Sequence, residues 1–120
     1  MKAIRLIALA ACMAATLDAS AQEQEIRLFS HRGGRMEHDE NTLSAFQASY
    51  DAGYRGFETD IRMTRDGALV ITHDSSLERT TDGTGTVEEK TEAEIRQLAT
   101  KQGNKMMFLD ELLEFLKGKE

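Results

Sequence analysis

The spacing of apolar positions changes repeatedly along this chain, and each change marks an element. "IRLFS", Ile26 to Ser30, groups its apolar residues in one run and reads as a short buried strand leading into a His-Gly-Gly loop. "NTLSAFQASYDAG" follows with Leu43, Phe46 and Tyr50 on one helical face, Asn41 or Thr42 as N-cap, and Gly53 closing the end. From Gly56 the period becomes two. Phe57, Thr59, Ile61 and Met63 fall on one side and Glu58, Asp60 and Arg62 on the other, as in an amphipathic strand with a charged face.

Asp66 and Gly67 interrupt this alternation with a hairpin signal, and too few residues lie between the apolar runs for a parallel return. Ala68 to Thr72 is therefore expected to run back antiparallel. With Asp66 and Gly67 as the two turn residues, Arg65 faces Ala68 and Asp60 faces His73. Opposed residues project to one face, so this register gathers Glu58, Asp60 and His73.

Beyond "TTDGTGT", Thr80 to Thr86, which has the composition of a mobile loop, helical patterns take over. "TEAEIRQLA" carries a capping box, Thr91 with Glu94. "FLDELLEFLKGKE" predicts a helix from near Asp110 that buries Leu109, Leu112, Leu113 and Leu116 and ends at Lys117 and Gly118. Strands alternating with helices define an α/β class, and the last helix is a cover with no following strand to lie on. There is no internal repeat, so residues 22–120 read as one domain or part of one.

The first residues differ from the rest. Lys2 and Arg5 precede an apolar run of 12 residues, Leu6 to Leu17, with small residues at Ala19 and Ala21. This is the pattern of a secretory signal peptide over residues 1–21, too short for a membrane span, which takes roughly 20 apolar residues. "LAAC" offers the alternative of lipid anchoring through Cys12. Removing residues 1–21 takes Lys2, Arg5 and Asp18 with it and moves the formal charge from −6 to −7. Nucleic acid is excluded as a natural partner for so acidic a surface. Cys12 is the only cysteine, so an exported product has no disulfides.

The polar residues then acquire chemical meaning. Glu58 and Asp60 at i and i+2 repel one another unless solvated or bridged by a cation, and their oxygens suit a hard ion, Ca²⁺ or Mg²⁺. His31 and His73 each follow an apolar strand, where an imidazole serves either as a packing residue or as an acid or base near neutral pH. Asp74 adds a carboxylate beside His73. Arg32 offers a planar fork for phosphate oxygens, with Gly33 and Gly34 allowing close backbone approach. Glu40 and Asn41 either position the loop or cap the helix, and His38, between Glu37 and Asp39, is a surface residue. Composition and spacing alone reach a metal-assisted hydrolase.

"HRGG…ENTLSAF", "GFETDIRMTRDGALVITHD" and "LERTTDGTG" together resemble the glycerophosphodiester phosphodiesterase family, densely over Phe29 to Gly85, and "FLDELLEFL" is similar to the family's next helix. The resemblance implies the N-terminal part of a distorted TIM (β/α) barrel of the PLC-like phosphodiesterase type, truncated. It implies hydrolysis of glycerophosphodiesters, small molecules such as glycerophosphocholine, to glycerol 3-phosphate and an alcohol. His31 and His73 become the acid/base pair, Arg32 the phosphate ligand, and Glu58 and Asp60 the holders of a divalent cation. Glu40, Asn41 and Asp74 support the site. The family's third carboxylate ligand falls on a strand after the last helix, so the remainder of the barrel is an implied partner. Asp39 stands where the family has proline, which is expected to loosen the loop. The alternatives are a metal- or phosphate-binding half-barrel without turnover and a phospholipase-type diesterase.

Overall fold

The computed structural model describes residues 26–119, so the leader expected over residues 1–21, with Cys12, lies outside the described residues. Strand β1 (Phe29–His31), helix α1 (Leu43–Asp51) and strand β2 (Gly56–Glu58) form a βαβ unit whose strands pair in parallel, His31 beside Glu58. Strands β3 (Ile61–Met63) and β4 (Leu69–Ile71) form a separate antiparallel pair. A 3₁₀ turn (Val87–Glu89) and helices α2 (Glu92–Ile95) and α3 (Leu109–Leu116) complete the described α/β fold.

Helix α1 begins where Thr42 accepts the Ala45 N–H on its hydroxyl, 3.3 Å, so Thr42 is the N-cap. Its inward face is made by Ala45, Phe46 and Ser49, while Leu43 is 52% exposed. The predicted stripe is thus rotated toward the small residues. Ser49 accounts for this: its hydroxyl meets that of Ser30 on β1 at 2.6 Å, which requires close helix-strand approach. The capping box at Thr91 and Glu94 forms as expected.

The alternating segment is not one strand. It breaks at Thr59 and Asp60, with β2 pairing to β1 and β3 to β4. Ile61 and Met63, expected inside, are about half exposed, as is Leu113 on α3, and Ile26, Leu28 and Phe29 are more exposed still. Among the described residues β1 pairs with β2 alone, and no layer covers the outer faces of these elements. Periodicity names the apolar face of an element but does not supply the surface it needs.

The hairpin register also differs from expectation. Ile61 faces Ile71 and Met63 faces Leu69, so Asp60 stands across from Thr72, whose N–H donates to the Asp60 carbonyl at 3.0 Å. A two-residue turn of the common tight type needs positive φ at both positions. Among the described non-glycine residues only Arg32 and Asn41 have positive φ, so Asp66 does not meet that need. Its carboxylate instead accepts from the Thr64 hydroxyl at 2.7 Å and the Glu92 N–H at 2.9 Å, giving a three-residue loop, Arg65 to Gly67. A slip of one residue exchanges the faces of a strand.

Two apolar clusters flank β4, because successive side chains point to opposite sides. Val70 packs with Leu77, Val87, Ile95, Met106 and Phe108, and Ile71 packs with Phe46, Met107 and Leu112. The second cluster seats α1 and α3 on the site-bearing strands, with Phe57 edge-on to Phe46 at 5.9 Å. The glycine-rich segment is stitched to its surroundings. Thr81 is buried and donates to the Leu77 carbonyl, and Asp82 N–H reaches the Ala99 carbonyl at 2.9 Å. The mobility expected from its composition is opposed by these bonds.

Candidate functional site

β1 and β2 end together, which brings His31 and Glu58 side by side at their carboxyl ends, Nε2 to Oε2 3.6 Å. Both side chains are about half exposed. The chain then turns sharply. Arg32 and Asn41 take left-handed φ values of 54° and 60°, and the Asn41 N–H donates to the Arg32 carbonyl at 2.9 Å, closing the loop between them. Such backbone costs about 1–2 kcal/mol at a residue like Arg32, so the surrounding bonds must hold it. The Arg32 N–H to the Glu58 carbonyl, 3.0 Å, is one of them.

Gly33 has φ 75°, and a Cβ there would lie 2.8 Å from that of Ala45 and 2.9 Å from the Phe46 nitrogen. The open side of this glycine therefore faces the start of α1. Gly33 thus also has a packing role, letting the loop lie against the start of α1.

The Arg32 side chain is buried in this turn and directed at two carboxylates. Nη1 donates to Glu40 Oε1 at 3.2 Å, and Nε lies 3.1 Å from Asp60 Oδ2. The Nε–H is not aimed along that line, so Nε is buried without a hydrogen-bond acceptor. Asn41 Nδ2 donates to Asp60 Oδ2 at 3.2 Å, and its Oδ1 accepts from Thr59 Oγ1 at 2.9 Å. Asn41 is thus a spacer for the β2–β3 break, while the capping is done by Thr42.

His73 follows β4 and is held twice. Its Nδ1 lies 2.6 Å from Asp74 Oδ1, and its carbonyl accepts from Arg62 Nε at 2.8 Å. Arg62 is in turn anchored on Glu88 at 2.9 Å, and Glu88 also accepts from Ser75 Oγ at 2.6 Å. The Asp74 carboxyl is held well below the usual carboxylate range, first by its hydrogen bond from Arg79 and then by His73. An ionised carboxylate only accepts, so Nδ1 carries the proton and Nε2 is left bare when the imidazole is neutral.

Arg79 is the residue sequence reasoning missed. It stands in the "LERTTDGTG" segment, but no spacing rule pairs it with Glu40, 39 positions earlier. The expected cluster of Glu58, Asp60 and His73 is not formed. Among the described residues no three His, Cys, Asp or Glu side chains stand close enough together to hold a metal ion. The register explains this, since Thr72 and not His73 faces Asp60. Glu58 and Asp60 instead meet the first loop through His31 and Arg32. Asp39 is also not a loosening element: its carboxylate accepts from the Gln102 N–H at 2.7 Å and from Asn104 Nδ2 at 3.3 Å.

The βαβ unit with its strands paired in parallel has the fold of the N-terminal part of a TIM barrel, as in solved glycerophosphodiester phosphodiesterases. The finer assignment follows from a family model. The Glycerophosphoryl diester phosphodiesterase family matches residues 31–119, and the chain belongs to it. A glycerophosphodiester phosphodiesterase of Caldanaerobacter subterraneus is 41% identical over 71 residues, 59% of this chain and 29% of that protein. Human glycerophosphodiester phosphodiesterase 1 is 44% identical over 73 residues, 61% of this chain and 22% of that protein. A solved glycerophosphodiester phosphodiesterase from Agrobacterium tumefaciens superposes with a TM-score of 0.76 at 35% identity, covering 79% of this chain and 44% of its own. A phosphodiesterase of Oleispira antarctica, solved with the product sn-glycerol-3-phosphate, gives 0.72 at 32% identity, covering 76% and 40%. The chain spans less than half the length of each of these relatives.

Proposed function

We propose that this chain carries the N-terminal share of a site that hydrolyses glycerophosphodiesters to glycerol 3-phosphate and an alcohol with the help of a divalent cation. The observation that carries the reading is the convergence of His31, Arg32, Glu58 and Asp60 at the ends of β1 and β2. Family membership and the product bound by the Oleispira relative support the substrate class.

Arg32 binds the phosphodiester, as the planar fork of its guanidinium suits phosphate oxygens, and Glu40 and Asp60 hold it in place. His73, with Nδ1–H on Asp74, presents Nε2 as a base to the glycerol hydroxyl that attacks phosphorus. His31, at the end of β1, returns a proton to the leaving alcohol oxygen. A new P–O bond to the glycerol closes a cyclic diester as the alcohol's P–O bond breaks, and water then opens the ring with the two imidazoles exchanging roles. Glu58 and Asp60 fit a cation only as part of a ligand set. They offer hard carboxylate oxygens, but Ca²⁺ takes six to eight ligands, so substrate, water or further protein groups must supply the rest. A bound cation would contribute Lewis-acid stabilisation of charge on the phosphoryl oxygens.

The test is turnover of glycerophosphocholine by the chain with Ca²⁺ or Mg²⁺, with intact phospholipid in parallel. Turnover abolished by His31→Ala supports the proposal. Cation or phosphate binding without turnover supports the second reading, a metal- or phosphate-binding half-barrel without turnover. The proposal includes export through residues 1–21, tested by finding Gln22 as the N-terminus of the mature protein. Among the described residues no helix is long and apolar enough to cross a membrane.

A further inference from the structure

Arg79 joins two parts of the site that the backbone keeps apart. Its guanidinium grips Glu40 with both terminal nitrogens, Nη1 to Oε2 3.0 Å and Nη2 to Oε1 2.7 Å, and donates through Nε to Asp74 Oδ2. Glu40 is also bound by Arg32, and Asp74 is bound to His73. The result is one unbroken sequence of charged contacts, Arg32, Glu40, Arg79, Asp74, His73. It runs from the loop after β1 to the segment after β4.

We infer that Arg79 is a positioning residue, which sets the ring orientation and tautomer of His73 through Asp74 while fastening the Glu40 and Arg32 loop beside it. The inference rests on the reading of His73 as an acid/base group. An isolated exposed ion pair contributes little, because two long side chains must be ordered against good solvation. Arg79 differs in two respects. Its partner Glu40 is only 11% exposed, so that carboxylate has already lost most of its water. The contact is also a planar fork on a planar carboxylate, with the remaining edge on a second one, an arrangement that lysine cannot reproduce. Without Arg79, Glu40 keeps Arg32, but Asp74 keeps only the imidazole it is meant to orient. Groups one step behind a histidine fix its tautomer in this way at many sites, and their loss leaves the ring free to choose.

The decisive measurement is the ¹⁵N spectrum of the His73 ring, recorded on the high-pH plateau of its own shifts. In the wild type the two nitrogens should be well separated, with Nδ1 at the protonated position. In Arg79→Gln they should move toward one another as the second tautomer becomes populated, and Asp74→Asn should reproduce that shift. Arg79→Lys, which keeps the charge and loses the fork, should shift the signals part of the way and serves if the glutamine variant does not fold. Ring signals unchanged in a folded Arg79 variant overturn the inference, as does a wild-type spectrum with the proton on Nε2. Where turnover is seen, kcat should fall at least tenfold in Arg79→Gln, more than any rise in KM from the loosened Arg32 loop. A KM effect alone would overturn it too. The spectrum needs no turnover, so failure of the hydrolase reading leaves this measurement standing.

Discussion

Asn41 and Asp60 are joined across the site by a hydrogen bond of 3.2 Å from Nδ2 to Oδ2, while the Asn41 backbone sits at φ 60°. The side chain also accepts from Thr59, so one residue of the first loop holds both residues at the β2–β3 break. That break turns what would be a single strand into members of two sheets.

Asn41→Ala is expected to lower stability by about 2–3 kcal/mol, from two hydrogen bonds at roughly 1 kcal/mol each and left-handed backbone strain that asparagine tolerates better than alanine. Asn41→Gly should lose less, because glycine relieves the strain. Urea unfolding of both variants measures the difference, and a loss below about 0.5 kcal/mol in the alanine variant would remove Asn41 from this role.

Gly33→Ala combines unfavourable φ with a contact of 2.9 Å to the Ala45 backbone, which cannot rotate away. A cost of more than about 2 kcal/mol is expected in thermal unfolding. Gly53→Ala, with positive φ but nothing within 4 Å of the added Cβ, should cost only the backbone strain. Equal effects at the two positions would show that the packing of α1 on the loop is unimportant.

Asp39 ties the first loop to residues 102–104 by accepting two hydrogen bonds. Asp39→Ala should therefore cost about 1–2 kcal/mol and speed hydrogen exchange at the Gln102 amide more than at the Ile71 amide, which belongs to β4. Unchanged exchange at Gln102 would count against the tie.

Acid should weaken the fold through Glu40 and Asp74. Both carboxyls are held below their ordinary range, chiefly by hydrogen bonds from Arg79. A depressed folded pKa contributes stability fully above the unfolded value, about 3.9 for Asp and 4.3 for Glu, and loses it as pH falls toward the folded value. Below about pH 4.5 the unfolded chain takes up protons that the folded chain refuses, so stability declines with acid. Arg79→Gln should make that decline shallower than in the wild type between about pH 4.5 and 3. Parallel pH profiles of unfolding free energy would refute the assignment.

The elements of this protein were legible in its residues because their causes are local. The box of Thr91 and Glu94 caps its helix through contacts three residues apart, and Gly53 follows the last turn of α1. His31 and Arg32 follow an apolar run that the sequence marks as a strand, whereas Glu58 and Asp60 come to strand ends only through a break that the alternation does not announce. Tertiary structure decided what periodicity leaves open. The hairpin register turned on whether Asp66 would bond Thr64 and Glu92, and the Glu92 contact lies 26 positions away. The bridge from Glu40 to Asp74 through Arg79 depends on two loops meeting, and a one-dimensional pattern holds no record of which charged side chains share a place. Helix caps and turns act over a few residues, whereas the convergence of charges is set by the packing of whole elements around Phe46 and Ile71.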